Sequence, residues 1–164
     1  MVTNLLKPTE GDSVLDVCAA PGGKSGYMAE LMRNSGSVYA FDVDADRYAL
    51  LKESMKRLKL NIVNVAQKDA TADSFQVFDK ILIDAPCTGT GVMAKRADLK
   101  WRRRSSDLDE MVAVQKRIIS HMAQFLELEG ELVYATCSVE LEENWGVVDS
   151  FLTDNPSFSV QSAE

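Results

Sequence analysis

The chain has 164 residues, 46% of them hydrophobic, and a net charge of -7; that length supports one domain with a substantial core, and the acidic balance argues mildly against a surface that grips nucleic acid everywhere. It contains no apolar run near the roughly 20 residues of a membrane helix, and its start, Met-Val-Thr-Asn-Leu-Leu-Lys-Pro, lacks a signal-peptide layout, so a soluble, cytoplasmic protein is expected. The three cysteines, Cys18, Cys87 and Cys137, are odd in number and 69 and 50 residues apart, which fits neither a disulfide framework nor a zinc site and leaves reduced thiols and no metal as the expectation.

Residues 1–10 carry Pro8 and little periodicity and read as a lead-in segment. Val14 to Cys18 is a first strand, followed by the small-residue loop Cys18-Ala19-Ala20-Pro21-Gly22-Gly23-Lys24-Ser25. Tyr27, Met28, Leu31 and Met32 fall at helical spacing, and Asn34 with Gly36 supplies a stop. Val38 to Phe41 is a second strand ending at Asp42, after which Tyr48, Leu51, Met55 and Leu58 mark a second helix. A third strand runs from Ile62 to Val65 and leads to Asp69, and a fourth runs from Phe78 to Ile83 and ends at Asp84. Ala85 to Arg104 shows no period, and a connection of that length inside a compact domain is usually functional or disordered. A helix then starts at Ser105 or Ser106, carries Met111, Val114, Ile118, Met122 and Phe125 as its apolar stripe, and is stopped by Gly130. Leu132 to Ala135 gives a fifth strand ending at Thr136-Cys137-Ser138, and a last helix bears Trp145, Val148, Phe151 and Leu152 before Asn155-Pro156. Helices alternating with nearly continuous apolar strands predict a doubly wound α/β layer around a parallel sheet. Ligands of such sheets sit at the carboxyl ends of the strands, here Cys18, Asp42, Asp69, Asp84 and Cys137.

The first loop has two competing readings. Gly23-Lys24-Ser25 matches the end of a phosphate-binding loop, but that motif needs a glycine where Cys18 stands, and the dinucleotide fingerprint Gly-x-Gly-x-x-Gly is absent. Asp42, about 20 residues past the turn, is placed to accept from ribose hydroxyls. Asp44 is the better cap for the helix that follows, which leaves Asp42 free for a ligand. Loop and acid together suggest an adenosine-containing cofactor without a triphosphate.

Asp84-Ala85-Pro86-Cys87 and Ala135-Thr136-Cys137-Ser138 close two strands expected to be neighbours. A lone cysteine is more often a small buried hydrophobe. Two thiols on the cofactor edge, in polar flanks, are poorly explained that way, and a modest positive field would suffice to activate one of them. Chemistry alone leaves open which is the nucleophile. Lys95, Arg96, Lys100, Arg102, Arg103 and Arg104 supply six cations against the single acid Asp98, with Trp101 among them. Cations interleaved with an aromatic suit a phosphate backbone and an unstacked base, although Trp101 could equally be a core anchor. His121 receives no role.

Cys18 to Lys24, Asp84 to Cys87, Thr88-Gly-x-Gly91, Lys100-Trp-Arg-Arg103 and Tyr134 to Ser138 occur in the order found in the RNA cytosine-5 methyltransferases, and the chain resembles that family from about Gly11 to Leu152. The nearest likeness is to the bacterial 16S ribosomal RNA enzymes of the Fmu, Sun or RsmB type. The resemblance implies a Rossmann-like methyltransferase fold, S-adenosylmethionine as cofactor and RNA, ribosomal RNA in particular, as substrate. It implies attack of Cys137 on C6 of a cytosine, methylation at C5, and assistance by Cys87 in releasing the product. Cofactor residues carry over to Cys18, Ala19, Ala20, Pro21, Gly22, Gly23, Lys24, Asp42, Asp69 and Asp84, while Lys95, Arg96 and Lys100 through Arg104 remain the RNA-contact candidates on their charge.

Three departures stand out. Leu141-Glu142-Glu143-Asn144 replaces the family's Pro-Glu-Glu-Asn and keeps the acids, and Ser25 stands where Thr is common. The chain ends at Glu164, before the fold's final strands and without a separate RNA-binding domain, so a fragment of a longer enzyme with an exposed fifth-strand edge is expected. The alternative reading is a non-catalytic RNA-binding or assembly module with the same fold.

Overall fold

A computed structural model describes residues 2–94 and 104–161. The elements are α1 (Val2–Leu6), β1 (Ser13–Val17), α2 (Gly23–Leu31), β2 (Ser37–Asp42), α3 (Ala45–Leu58), β3 (Val63–Gln67), β4 (Phe78–Asp84), α4 (Ser105–Met122), β5 (Leu126–Ala135) and α5 (Trp145–Asp154). Single 3-10 turns cover Thr90–Val92, Ala123–Phe125 and Leu141–Glu143. The five strands form one sheet in the order β3-β2-β1-β4-β5, and every pairing is parallel. This is the doubly wound arrangement expected. The strand order reverses between β1 and β4, where such sheets open a crevice at their carboxyl ends.

Side chains alternate between the faces of a strand, and the sheet sorts its core accordingly. Leu15, Val17, Phe41, Ile81 and Ile83 join Ile118, Ile119 and Met122 of α4 and Val147 and Phe151 of α5 on one face. Val14, Val38 and Leu82 meet Leu6, Met28, Ala29 and Met32 on the other. Leu6 and Thr3 of α1 are fully buried, so the segment preceding the first strand contributes to the core. Asp44 caps α3 as expected, accepting from Arg47 N at 2.8 Å.

Two local expectations are corrected. Helix α4 ends at Met122, and β5 begins at Leu126, so Gly130 is not a helix stop. Gly130 lies in β5, where the register against β4 shifts between Phe78 and Lys80 and Glu129 adopts a φ of 64°. A Cβ at Gly130 would lie 2.8 Å from Asp79 O and 2.9 Å from Glu127 O, a close backbone approach that requires glycine. The second correction concerns α5, whose buried positions are Val147 and Phe151, one helical turn apart, while Trp145 is 54% exposed. Asn144 fixes that rotation, because its side chain donates to Ser138 O at 3.1 Å and Glu140 O at 2.8 Å just before the helix starts.

Gly130→Ala therefore should destabilise the protein by about 1–3 kcal/mol, the usual cost of forcing atoms into a packed site. Urea unfolding midpoints would measure it, and a change below about 0.5 kcal/mol, typical of an open surface position, would contradict the close approach at the bulge.

Candidate active site

The loop after β1 is shaped by its neighbours on both sides. Cys18 takes a φ of 59° and Gly22 one of 100°, so the chain turns sharply twice, and the Ala20–Pro21 peptide is cis. Ala19 N donates to Phe41 O at 2.8 Å, and Gly22 N donates to Ala19 O at 2.8 Å, which ties the loop to the end of β2 and closes it on itself. A Cβ at Gly22 would meet only the flexible ends of Met55 and Leu51, at 2.6 and 2.8 Å, so it is the φ of 100° that favours glycine there. Gly23 differs, since a Cβ there would meet nothing within 4 Å.

Asp42 sits at the end of β2 with only 4% exposure and is engaged by three protein groups. Its Oδ2 accepts from Ala20 N at 3.3 Å and pairs with Arg47 Nε at 3.1 Å, and its Oδ1 accepts from Asp44 N at 3.2 Å. Arg47 also donates to Ala20 O at 3.1 Å, so one turn of α3 brings a cation onto the acid and the loop together. Burial, with Asp42 nearby, pushes the Cys18 thiol up to about 12, which keeps it protonated and unreactive. Asp69 holds its own turn by accepting from Thr71 N at 2.8 Å and Thr71 Oγ1 at 2.6 Å, and those bonds hold its carboxyl below the ordinary value.

Lys24, in the first turn of α2, reaches across to Asp84 at the end of β4 with Nζ to Oδ2 at 2.5 Å. Beneath that pair lies Asp16 of β1, fully buried, accepting from Ser25 Oγ at 2.6 Å. Burial pushes the Asp16 carboxyl up to about 7, against the opposing hydrogen bond from Ser25 and the charge of Lys24. A carboxyl at that value titrates where the Lys24–Asp84 pair would feel it.

The two remaining thiols meet. Cys87 Sγ and Cys137 Sγ are 3.1 Å apart, Cys87 partly buried and Cys137 exposed. Burial, reinforced by the hydrogen bond with Cys137, pushes Cys87 up to about 12, so the expected activation by a positive field does not apply to it. Register brings them together, because Asp84 is level with Ala135 and Ala85 N donates to Ala135 O at 2.9 Å. Past that point the chains are laced by polar groups. Gly91 N donates to Cys137 O at 3.0 Å, Ser138 Oγ lies 3.0 Å from Thr90 Oγ1 and 3.3 Å from Thr88 Oγ1, and Thr136 Oγ1 donates to Asn144 Oδ1 at 2.7 Å.

Of the residues expected to meet RNA, Arg104 is exposed at the start of α4, where its N–H donates to Asp107 Oδ2 at 3.1 Å. Lys95, Arg96, Lys100, Trp101, Arg102 and Arg103 lie outside the described residues. Among the described residues, no group of three His, Cys, Asp or Glu side chains could hold a metal ion, and no helix is long and apolar enough to cross a membrane.

Two thiols and a lysine–aspartate pair thus share the carboxyl edge of a parallel sheet. Residues 3–164 match the family model described as 16S rRNA methyltransferase RsmB/F. The chain belongs to the 16S rRNA methyltransferase RsmB/F family. Among curated relatives, it is 39% identical over 160 residues to the ribosomal RNA small subunit methyltransferase B of Sodalis glossinidius, covering 96% of this chain and 37% of that protein. It is 43% identical over 152 residues to the protein of that name from Pectobacterium atrosepticum, covering 90% of this chain and 35% of that one. The chain thus spans about a third of the length of these relatives. Among solved structures, it is similar to PH0851, with a TM-score of 0.91 and 40% identity over 94% of this chain and 36% of that one. It is also similar to NSun6 from Pyrococcus horikoshii, solved with SFG, with a TM-score of 0.85 and 35% identity over 93% of this chain and 40% of that one. The Rossmann-like methyltransferase fold read from the sequence is borne out by these structures.

For this RsmB/F family member, the site contains residues to which the sequence assigned no role: Asp16, Arg47 and Gln115, and also Ser25, Glu143 and Asn144, which stood out only as parts of motifs. Asp16 could have been found, since an acid inside an apolar strand needs a partner, and Ser25 nine residues on is the polar side chain that supplies it. Gln115 and Glu143 lie in helical or turn contexts where polar residues are ordinarily solvated, so sequence carries no such flag for them.

Asp16 gives a pH-dependent test. A carboxyl whose folded value lies near 7, above its ordinary 3.8, contributes stability that is present below pH 4 and is lost as pH rises toward 7. Asp16→Asn keeps an acceptor for Ser25 and removes the titration. The difference in unfolding free energy between variant and parent should move in the variant's favour by about 4 kcal/mol from pH 4 to pH 8. Urea denaturation at a series of pH values measures it, and parallel curves would refute the buried, protonated Asp16.

Proposed function

We propose that the chain is the catalytic core of an enzyme that uses S-adenosylmethionine to methylate C5 of a cytosine in ribosomal RNA, through a covalent bond between Cys137 and the base. The observation that carries this reading is the thiol pair at 3.1 Å, with one sulfur exposed and the other held protonated by burial. Two such thiols, side by side but in different environments, suit a reaction that needs both a nucleophile and a proton-carrying partner.

The loop Cys18 through Lys24, with Asp42, Asp69 and Asp84, would hold the cofactor. Gly23 supports that fit, because neither backbone strain nor a neighbouring protein atom requires glycine there, whereas a closely approaching ligand would. S-adenosylmethionine would supply the methyl group as an electrophile. The relative solved with SFG, an analogue of that cofactor, favours this assignment. Asp42 would hold ribose hydroxyls while sharing its charge with Arg47.

In this reading, Cys137 Sγ loses its proton and adds to C6 of the cytosine, which raises electron density at C5. C5 takes the methyl group, a base removes the C5 proton, and the electron pair restores the C5–C6 double bond while expelling the Cys137 thiolate. Cys87, protonated and against Cys137, would return a proton to the departing sulfur and so free the product. Lys24 and Asp84, paired at the ends of α2 and β4, would orient the polar edge of the ring. Lys95, Arg96, Lys100, Trp101, Arg102, Arg103 and Arg104 would hold the phosphate backbone and an unstacked base.

The test uses full-length protein and ribosomal RNA. Cys137→Ala should abolish methyl transfer and form no adduct, while Cys87→Ala should accumulate a covalent protein–RNA species on denaturing gels. An adduct that requires Cys87 and survives loss of Cys137 would reverse the roles, and an absence of methyl transfer by the parent would overturn the reading.

A further inference from the structure

Cys87 is flanked by two peptide groups, and a different buried side chain holds each of them. The carbonyl on its N-terminal side, Pro86 O, accepts from Gln115 Nε2 at 2.8 Å. The amide on its C-terminal side, Thr88 N, donates to Glu143 Oε1 at 2.8 Å, and Thr88 Oγ1 donates to Glu143 Oε2. The two clamping side chains are joined, since Gln115 Nε2 also donates to Glu143 Oε1 at 2.9 Å. Gln115 comes from α4 and Glu143 from the turn after β5, and both are fully buried. Glu143 is fixed in turn at its own backbone, where its carbonyl accepts from Tyr134 Oη at 2.8 Å.

A carboxylate and an amide buried in a domain of this size need a reason, because each gives up its hydration and contributes little net stability even when paired. Here the peptide partners of both side chains flank one residue, Cys87. Pinning the peptide groups on both sides of Cys87 limits rotation about its φ and ψ, and therefore fixes where its Cβ and Sγ point. The opposite thiol is held from the same frame, because Glu143 and Asn144 end the loop that carries Cys137. Burial raises the Glu143 carboxyl, yet its hydrogen bonds from Ser138, Thr88 and Gln115 outweigh that and leave it below the ordinary value, so it serves as an acceptor rather than as a proton carrier.

We infer that Gln115 and Glu143 are positioning residues that clamp Cys87 from both of its peptide groups and hold its sulfur against Cys137. Resting on the function proposed above, the inference adds that the clamp governs release of the RNA adduct rather than its formation. Glu143→Gln can keep the arrangement, with its carbonyl accepting from Thr88 N and Gln115 and its amide donating to Thr88 Oγ1. Glu143→Ala and Gln115→Ala each remove one side of it.

Alkylation of the individual thiols, followed by mass spectrometry on full-length protein, tests the clamp without calling on any activity. Gln115→Ala and Glu143→Ala should each alkylate Cys87 roughly tenfold faster than the parent, as a released thiol gains exposure, while Cys137 changes by less than about twofold and Glu143→Gln stays near the parent rate. An unchanged Cys87 rate in folded alanine variants would overturn the clamp. Should Glu143→Ala not fold, Gln115→Ala against Glu143→Gln decides alone. With RNA, both alanine variants should prolong the covalent species several-fold at unchanged RNA affinity. A faster-alkylating Cys87 with a normal adduct lifetime would uphold the clamp and overturn its part in release.

Discussion

The parallel register of β4 against β5 is the constraint on which the site depends. Asp84 and Ala135 are level in the sheet, and Ala85 N–H reaches Ala135 O at 2.9 Å, so both chains leave the sheet at the same height. Three residues beyond Asp84 comes Cys87, and two beyond Ala135 comes Cys137. A slip of one residue would turn every side chain of β5 to the other face. The bulge at Gly130 occurs upstream of this pairing and changes the phase of the strand before it reaches the site. A feature at the far end of β5 thereby decides whether the two sulfurs meet.

Sheet register brings two chain ends close but does not hold side chains in place. That is done by buried polar groups, in two separate assemblies. Around the loop after β1, Asp42, Arg47 and the Ala20 peptide tie the loop to α3, while Asp16 and Ser25 support the start of α2. On the thiol side, Glu143, Gln115 and Asn144 join α4 and the two exit loops. The Lys24–Asp84 pair lies between them, with Lys24 from the first turn of α2 and Asp84 from the end of β4. Buried acids of this kind contribute little net stability and much geometry, which suits a site whose sulfurs must keep one separation.

The sequence made the frame legible because its signals are strong ones. Apolar strands ending in Asp42, Asp84 and Cys137, with helical stripes between them, lead to the doubly wound parallel sheet and to β4 and β5 as neighbours, and Asp44 is readable as a cap. The failures have specific physical origins. Gly130 looks like a helix stop, since a bulge requirement set by Asp79 on another strand leaves no local trace. Trp145 looks like a core residue by size, yet the hydrogen bonds of Asn144 rotate α5 so that Val147 faces inward instead. Asp42 is spared from capping by Asp44, yet it gains Arg47, one turn further on, as a partner that spacing alone does not reveal. Gln115 and Glu143 are hidden for a deeper reason: a polar residue on a helix or turn is identical in sequence whether it faces water or the peptide groups of a loop 29 or 55 residues away.

The division between the thiols follows from the same geometry. An isolated pair of equal cysteines 3.1 Å apart would share one proton problem, with either sulfur able to act. Here the environments differ, because Cys87 lies beneath the exit of β4 with its flanking peptide groups engaged, and Cys137 stands exposed on the next loop. Burial raises the proton affinity of the first and leaves the second accessible to a base that arrives from solvent. Two chemically identical groups thus stand in different surroundings, and under the function proposed above that difference favours Cys137 as the attacking sulfur.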